Sequence, residues 1–589
     1  MQASESDLWV FRDARSLASG RVLVRELRQS LNKLLEGSAD EQGLSEAIIR
    51  AGALESALAD TGSAGGESAA AVTDSVSDAL FIHHPDSLKH AASALEHLII
   101  PDTIPTSPPE GFSYYAVHPL DFVAAADSLP LSGSTVAVIG IRNIGTTLSA
   151  IVTAALRARG RTGSRITVRP NGHPYERNTT FSDNQKDWIR EHLDRGSDFV
   201  VVDEGPGRSG STFLSVGEAL LQAGVPLDRI TFLGTREVDP GELCAQDAAN
   251  RWSKFRFRVA RQVRLTDFKD YSYIGGGEWR KILFAERHWP ESWPQMERLK
   301  FLSPDGTQIF KFEGMGPLGA AVRERSLRLA AARFGAQFED ARDGFSRYTV
   351  ISGHPMSFAE VSEDVLERIA RYCAFRLSEF GTESNQCTSL QQMLESNLTR
   401  EFHVEPSNDL PQLATELPVI VDGRMQPHEW IRLANRRMLK ADGASHGDDH
   451  FFPGPIDITW DLAGAAVEWN LPPDAASFLL SRFYQLTGKD PRPLFSVFKL
   501  AYAVFRVAWC KMAATTVPGT EEEIRLKNAY ARYSACVREE LQRGNFAKSK
   551  TVKNWVVNNT STPVFREEAR QQTRTADSTP VLHDCSDCT

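Results

Sequence analysis

The middle of the chain alternates short apolar runs with longer stretches in which apolar residues recur at helical spacing. We predict strands at 136–141, 165–168, 199–202 and 230–233, and helices at 146–159, 184–193 and 211–223. A run such as Phe-Val-Val-Val at 199–202 is apolar on both faces, which is typical of a parallel strand covered by helices on either side. The alternation of strands and helices therefore predicts an α/β domain with a parallel sheet at 112–260.

The flanking regions follow different patterns. We predict a helical region at 1–100, interrupted by a flexible loop at 61–78, where small and polar residues dominate. After a connecting segment at 261–299, the pattern predicts a hairpin that turns at Asp305-Gly306, a helix at 319–334, a strand at 348–351 and a mostly helical remainder. The prediction is thus an α+β domain at 300–545, followed by a polar tail at 546–589.

The composition narrows the class of protein. Hydrophobic residues make up 41% and charged residues 24% of the 589 residues, as in soluble globular proteins. The net charge of -10 argues against nucleic acid as a partner. Seven cysteines, an odd number, indicate a reducing compartment, and Cys585 and Cys588 alone do not make a zinc site. With no leader pattern and no apolar run of membrane-spanning length, we expect a cytoplasmic protein without a membrane partner, and the composition leaves a homo-oligomer open.

The segment 199–212 ends an apolar strand in two acids and continues as a loop of small residues. Asp203 and Glu204 are followed by Gly-Pro-Gly-Arg-Ser-Gly, and a helix is predicted to begin at Ser211 or Thr212. Small residues let backbone N–H groups approach a phosphate, and a helix N-terminus adds further donors and a favourable dipole. Two acids at the carboxyl end of a parallel strand suit the hydroxyls of a ribose. The alternative for each feature taken singly is an ordinary helix cap beside solvated acids.

This segment resembles the phosphoribosyl-pyrophosphate-binding motif of type I phosphoribosyltransferases, although 205–208 depart from the apolar and Thr residues of that family. The resemblance implies that Asp203 and Glu204 act in catalysis and bind the ribose hydroxyls. It also implies that the 5′-phosphate is bound by the loop and the first turn of the helix, which comprise Gly207, Arg208, Ser209, Gly210, Ser211 and Thr212.

Two further segments fit the same resemblance. A strand–loop–helix junction at 138–147 would bind the pyrophosphate through Arg142, Asn143, Gly145 and Thr146. Between the two loops, where the family carries a mobile hood, Arg169 and Arg177 would neutralise the pyrophosphate as it leaves. The resemblance implies phosphoribosyl pyrophosphate and a small nitrogenous acceptor as substrates, with Mg²⁺ as the cofactor.

The region after residue 300 resembles kinases of the aminoglycoside-phosphotransferase type. Lys311 is predicted on the second strand of the hairpin and Glu324 on the next helix, and a strand Lys paired with a helix Glu holds nucleotide phosphates in kinases. In the segment 440–463, Asp457 matches the metal-binding Asp of the family, and either Asp442 or Asp448 matches the catalytic Asp. The resemblance implies ATP as a co-substrate, with Asp442 in catalysis and Mg²⁺ held by Asp442 and Asp457.

Two other interpretations of this segment stay open. Its acids and histidines are also ligands that zinc or iron would accept, and they could equally be solvated loop residues. The Asn that the family carries after its catalytic Asp is absent, which leaves the activity of this half open. The preceding segment 422–430 could line this second site, and the favoured alternative is a turn that enters a helix at Pro427.

The sequence therefore predicts a bifunctional enzyme. One half would transfer a phosphoribosyl group from phosphoribosyl pyrophosphate to a nitrogenous acceptor, as a phosphoribosyltransferase of the glycosyltransferase class. The other half would bind ATP and phosphorylate a small molecule or a nucleoside product. The alternatives are a non-catalytic sensor of phosphoribosyl pyrophosphate and a nucleotide-modifying defence effector.

Overall fold

The computed structural model describes residues 16–37, 40–81, 85–173, 175–207, 209–407, 410–544 and 546. Its N-terminal region is mostly helical. Strand β1 (Ser16–Ser19) pairs antiparallel with a later strand, β2 (Thr103–Thr106). Between them lie α1 (Gly20–Glu36), α2 (Glu41–Asp60), α3 (Gly66–Asp78) and α4 (Pro85–Glu96). Arg208, Cys585, Cys588 and all but the first residue of the predicted tail at 546–589 lie outside the described residues.

The flexible loop predicted at 61–78 is wrong, because most of this segment is helix α3. Ala69, Val72 and Val76 recur at spacings of three and four and are buried against the rest of the region. The side chains between them are small or polar, as in a flexible linker, and this composition led to the wrong prediction. Their spacing is the signal that predicts a helix.

The next region is built around a parallel sheet, as predicted. It begins with α5 (Glu110–Tyr114) and α6 (Asp121–Asp127). The elements that follow are β3 (Thr135–Ile141), α7 (Ile144–Ala158), β4 (Thr162–Val168), β5 (Asn171–His173), β6 (Glu176–Asn178), α8 (Asp183–Asp194), β7 (Asp198–Val202), α9 (Ser211–Gln222), β8 (Ile230–Gly234), α10 (Ala248–Trp252) and β9 (Arg256–Val259). Five of the strands form a parallel sheet in the order β4-β3-β7-β8-β9. The strand order reverses between β3 and β7, so a ligand crevice is expected at their carboxyl ends.

The second half opens with an antiparallel sheet of five strands in the order β10-β11-β12-β14-β13. Its elements are β10 (Ser272–Tyr273), α11 (Arg280–Leu283), β11 (Lys300–Leu302), β12 (Gln308–Phe312), α12 (Gly316–Ala331), β13 (Phe338–Asp340) and β14 (Phe345–Thr349). The hairpin predicted at Asp305-Gly306 joins β11 to β12. Because β10 pairs with β11, part of the segment 261–299 belongs to this sheet.

The remainder is mostly helical, as predicted. A small sheet comprises β15 (His354–Pro355), β16 (Trp430–Arg432) and β17 (Met438–Lys440), and the helices are α13 (Glu363–Glu379), α14 (Cys387–Phe402), α15 (Thr459–Glu468), α16 (Pro473–Thr487), α17 (Arg492–Ala514) and α18 (Glu521–Gly544). Among the described residues, α17 is the one helix long and apolar enough to cross a membrane. It packs against α14, α15 and α18, and most of its side chains are buried, as in the central helix of a globular core.

The two halves share a hydrophobic core. Buried residues of α1–α4 and of one face of the parallel sheet form a continuous cluster with Phe301, Phe312 and Phe345 of the antiparallel sheet. The other face of the parallel sheet has a separate core, and the helical part of the second half has a third. The shared core holds the carboxyl edge of the parallel sheet beside the second half.

Candidate functional site

Four loops meet at the carboxyl edge of the parallel sheet. They follow β3, β4, β7 and β8, and they carry Arg142, Arg169, Asp203 and Arg236, respectively. Gly145 lies in the crossover after β3, where a Cβ atom would come within 2.4 Å of the Val202 carbonyl oxygen. Only glycine allows the loop after β3 to lie this close to β7.

Asp203 and Glu204 occupy the centre of this edge and are half-buried. Burial raises the pKa of Asp203 to about 8, although backbone N–H groups of Glu204 and Gly145 partly oppose the shift. Burial also raises the pKa of Glu204 to about 7, against Arg236 and the backbone N–H of Gly111. Near neutral pH both acids lie close to their titration points.

The loop after β7 leads into α9 as the sequence predicts. Gly210 adopts a left-handed conformation with φ +69°, and α9 begins at Ser211. The hydroxyls of Ser209 and Ser211 lie 2.9 Å apart and hydrogen bond to each other. Gly207 is exposed and Thr212 half-buried at the same helix terminus. The predicted phosphate-binding residues that the structure describes therefore lie together beside Asp203.

Of the remaining predicted residues of this site, Arg142 and Arg169 lie together, whereas Arg177, Asn143 and Thr146 make other contacts. Arg169 Nη1 donates to the Arg142 carbonyl oxygen at 2.8 Å, which joins the loops after β4 and β3. Arg177 instead donates to Gly172 within the β5–β6 hairpin, at 2.8 Å. Asn143 donates to the carbonyls of residues 107 and 108 and so holds the connector in place, and the Thr146 hydroxyl is fully buried in α7.

The second half contains a cavity of about 280 Å³ between the antiparallel sheet and the helical part. Ile274, Ile309 and Val350 form apolar walls at the sheet, and Lys311 and Asp442 line the polar part. Lys311 lies on the third strand of its sheet in chain order and is followed by a helix, which is the position of the phosphate-binding lysine in kinases.

Lys311 forms a short ion pair with Asp442. Its Nζ lies 2.6 Å from Asp442 Oδ1 and 3.1 Å from Glu313 Oε1. Although burial acts in the opposite direction, Lys311 and His446 hold the pKa of Asp442 well below its usual range. Burial and Arg424 lower the pKa of His446, but Asp442 and Asp422 together raise it above its usual value.

The predicted pairing of Lys311 with Glu324 is wrong. Glu324 lies on the outer face of α12, where its carboxylate pairs with Arg328 at 2.6 Å and is 62% exposed. The inner face of α12 presents Val322, Ser326 and Leu329. Besides Asp442, the acid paired with Lys311 is Glu313, which follows the last residue of β12.

The predicted metal pair Asp442 and Asp457 is not brought together. Asp442 lines the cavity, whereas Asp457 caps the start of α15 by accepting from the Thr459 N–H at 2.8 Å. Lys489 neutralises Asp457 from the other side at 2.6 Å. The alternative catalytic Asp, Asp448, pairs with Arg325 of α12.

Residues of the segment 422–430 line the cavity and belong to a polar cluster, and a short turn at Pro427–Glu429 leads into β16 instead of the predicted helix. Asp422 is fully buried and forms an ion pair with Lys440 Nζ at 3.3 Å, and Asp461 accepts from the backbone N–H of Asp422 at 2.8 Å. Oxygen and nitrogen atoms of Asp422, Glu429 and His446 lie within 4.8 Å of one another, as in a metal-ligand set, but Lys440 lies 2.5 Å from Glu429.

Helix α5 contacts Glu204 of the first site on one side and the second half on the other. Its Gly111 lies against the Glu204 carboxylate, where a Cβ atom would come within 2.6 Å of Glu204 Oε2. On the other side, the Tyr114 hydroxyl donates to the Asp448 carbonyl oxygen at 3.1 Å. A displacement of α5 would therefore change contacts in both halves.

No protein-family profile and no curated protein matches the chain. Several solved kinases and phosphotransferases are similar to it. A choline kinase, LicA, from Streptococcus pneumoniae is 14% identical over 41% of this chain and 89% of its own, with a TM-score of 0.29. An ethanolamine kinase from Plasmodium vivax is 10% identical over 57% and 97%, with a TM-score of 0.30. The macrolide 2′-phosphotransferase MphH from Brachybacterium faecium is 14% identical over 40% and 88%, with a TM-score of 0.27.

Proposed function

We propose that the second half binds a nucleoside triphosphate and transfers its terminal phosphoryl group to a small-molecule acceptor. The observation that carries this proposal is the Lys311–Asp442 ion pair in the wall of a cavity with an apolar end. Lys311 would contact the phosphates, and the apolar end would take the base. Asp442 would hold Mg²⁺ together with the phosphates, because Mg²⁺ in such sites uses one or two carboxylates and substrate oxygens.

The other polar groups of the cavity support binding of negative charge. The raised pKa of His446, between Asp442 and Asp422, favours an imidazolium that would stabilise charge on the transferred group. Asp422 is fully buried and faces Lys440, so it is not placed to take a proton from an acceptor in the cavity. Phosphoryl transfer depends mainly on positioning and charge stabilisation, which these residues would supply.

Binding of ATP with Mg²⁺, measured by calorimetry on the full chain, tests this proposal. We expect Asp442→Asn to weaken binding at least about tenfold, because the metal-holding carboxylate is removed. The matched control is Asp457→Asn, the other acid predicted from the sequence, which should stay within about threefold of wild type. Absence of ATP binding by wild type, or an equal loss in both variants, would contradict the proposal. Turnover with candidate acceptors follows if binding is found.

We propose a second function for the carboxyl edge of the parallel sheet, namely transfer of a phosphoribosyl group from phosphoribosyl pyrophosphate. The specific observation in its favour is the convergence of Asp203 and Glu204 with Arg142, Arg169 and the loop before α9. The acids would accept hydrogen bonds from the ribose hydroxyls, and the N-terminus of α9 would bind the 5′-phosphate. The two arginines would stabilise the pyrophosphate that leaves when the acceptor nitrogen bonds to the anomeric carbon.

Calorimetry with phosphoribosyl pyrophosphate, with and without Mg²⁺, tests this second function. The double variant Asp203→Asn/Glu204→Gln should lose at least about tenfold in affinity, because two ribose-binding acceptors are removed. Asp198→Asn is the matched control, since Asp198 begins the same strand at the opposite edge and bonds to Ser132. If wild type does not bind, the second function is wrong. Release of pyrophosphate on addition of an acceptor base separates an enzyme from a sensor.

A further inference from the structure

Asp60, the last residue of α2, contacts both arginines at the carboxyl edge of the parallel sheet. Its Oδ1 atom lies 2.9 Å from Arg142 Nη1 and 3.1 Å from Arg169 Nε, and its Oδ2 atom accepts from Arg169 Nη2. Only 26% of the Asp60 side chain is exposed. A single carboxylate thus takes donors from the loops after β3 and β4.

Local structure does not favour an acid at this position. Asp60 ends a helix of 20 residues, where the helix dipole disfavours negative charge. The two guanidinium groups compensate for that unfavourable position. The contact of Asp60 with the two arginines therefore depends on how α2 packs against the sheet and is not favoured by α2 alone.

The rest of α2 is anchored against the sheet and holds Asp60 in place. Glu55 forms a two-bond pair with Arg165 of β4, with both distances 2.8 Å, and both side chains are almost fully buried. Gly52 packs so closely on Thr147 of α7 that a Cβ atom would come within 2.0 Å of the Thr147 hydroxyl. The packing of α2 against the sheet and α7 thus holds Asp60 beside the two arginines.

We infer that Asp60 is a built-in competitor for the anion that binds at Arg142 and Arg169. This inference rests on the second proposed function, in which that anion is a pyrophosphate group. Carboxylates and phosphates use the same guanidinium donors in the same paired geometry, so the ligand must displace Asp60 before it can bond to both arginines. The N-terminal helical region thereby lowers the affinity of the site for anions and keeps both arginines paired with Asp60 between turnovers.

Inorganic pyrophosphate is the probe, and calorimetry on the full chain at fixed Mg²⁺ is the measurement. We expect Asp60→Asn to bind pyrophosphate roughly fivefold tighter than wild type, because a partly buried ion pair no longer has to be broken. Asp60→Glu keeps the charge and should stay near wild type. The matched control is Asp78→Asn, which removes the acid that ends α3 and pairs with Arg157 at 3.4 Å.

Each outcome decides the inference. Equal or weaker binding by Asp60→Asn, with binding by wild type intact, overturns the competitor role and leaves the second proposed function standing. No binding by either protein overturns both. A gain in Asp60→Glu or Asp78→Asn as large as that in Asp60→Asn also overturns the inference, because the charge of Asp60 would then not be the cause. Asp60→Ser, measured in the same way, replaces Asp60→Asn if circular dichroism shows that the latter does not fold.

Discussion

The candidate sites in the two halves of the molecule shift the pKa values of their acids in opposite directions. At the carboxyl edge of the parallel sheet, Asp203 and Glu204 form no ion pair with any residue that the structure describes, a set that does not include Arg208, and burial raises both pKa values. In the cavity of the second half, Asp442 lies 2.6 Å from Lys311, and its pKa is well below the usual range. The first pair is therefore only weakly compensated by described cations, and the second acid is strongly compensated.

This difference indicates two ways of preparing a site for ligands. The acids of the first site destabilise the fold when they ionise, so a ligand that donates hydrogen bonds to them would relieve an existing strain. The acid of the second site is held in one geometry by its cation, so a ligand would have to insert into an existing ion pair. Three substitutions test the comparison through stability, without knowledge of any substrate.

The largest effect is expected for Lys311→Met. The change leaves Asp442 and the buried Glu313 without their nearest cation, which should lower the free energy of unfolding by about 3–5 kcal/mol. The measurement is the shift of the thermal or urea unfolding transition. Lys281→Met is the control, because Lys281 pairs with Glu278 at the surface and its loss should change stability by less than about 0.5 kcal/mol. Similar shifts in both variants would show that the acids of the second half do not depend on Lys311.

Asp203→Asn should have a smaller effect of opposite sign. The pKa of Asp203 in the folded protein is raised to about 8, whereas in the unfolded chain it is about 3.9. Below the unfolded pKa both states are protonated and the substitution is nearly neutral. As pH rises from about 4 to 8, the unfolded state loses the proton first and wild type loses stability that the variant keeps.

We therefore expect Asp203→Asn to be about 1–3 kcal/mol more stable than wild type at pH 8 and nearly equal to it at pH 4. Urea unfolding at both pH values measures this difference. Asp198→Asn serves as the control, because Asp198 accepts two N–H groups and one hydroxyl and should lose stability when it is replaced. A variant less stable than wild type at pH 8 would mean that Asp203 is compensated after all.

The smallest effect is expected for Glu324→Gln. Because Glu324 is exposed and pairs only with Arg328 on its own helix face, its loss should change stability by no more than about 0.5 kcal/mol. Thermal unfolding of Glu313→Gln gives the contrast, since this change replaces a buried carboxylate that lies 3.1 Å from Lys311 Nζ and accepts from the Tyr348 hydroxyl at 2.6 Å. A larger loss in Glu324→Gln than in Glu313→Gln would restore the helix acid to the role predicted from the sequence.

The sequence predicted the elements better than the contacts between them. Continuous apolar runs identified β3, β7 and β8, and Lys311 and Asp442, which were predicted to bind nucleotide and metal, form an ion pair in the structure. Glu324 was wrong because a shift of one residue along a helix turns a side chain by about 100°, and neighbouring positions differ in face but not in composition. Asp457 was wrong because an Asp before Thr459 also caps a helix.

Local pattern by itself determined which segments are strands and helices, because hydrophobic periodicity records which faces must be buried. It also determined that β7 is followed by two acids, Asp203 and Glu204, and then by a loop of small residues, because these features can be read directly from the order of residues in the chain. Only the tertiary structure decided that Asp60 lies on Arg142 and Arg169, that α5 contacts both halves, and that Lys440 pairs with Asp422. These contacts join elements far apart in the chain, and they follow from how whole helices pack on a sheet, which no short stretch of sequence specifies.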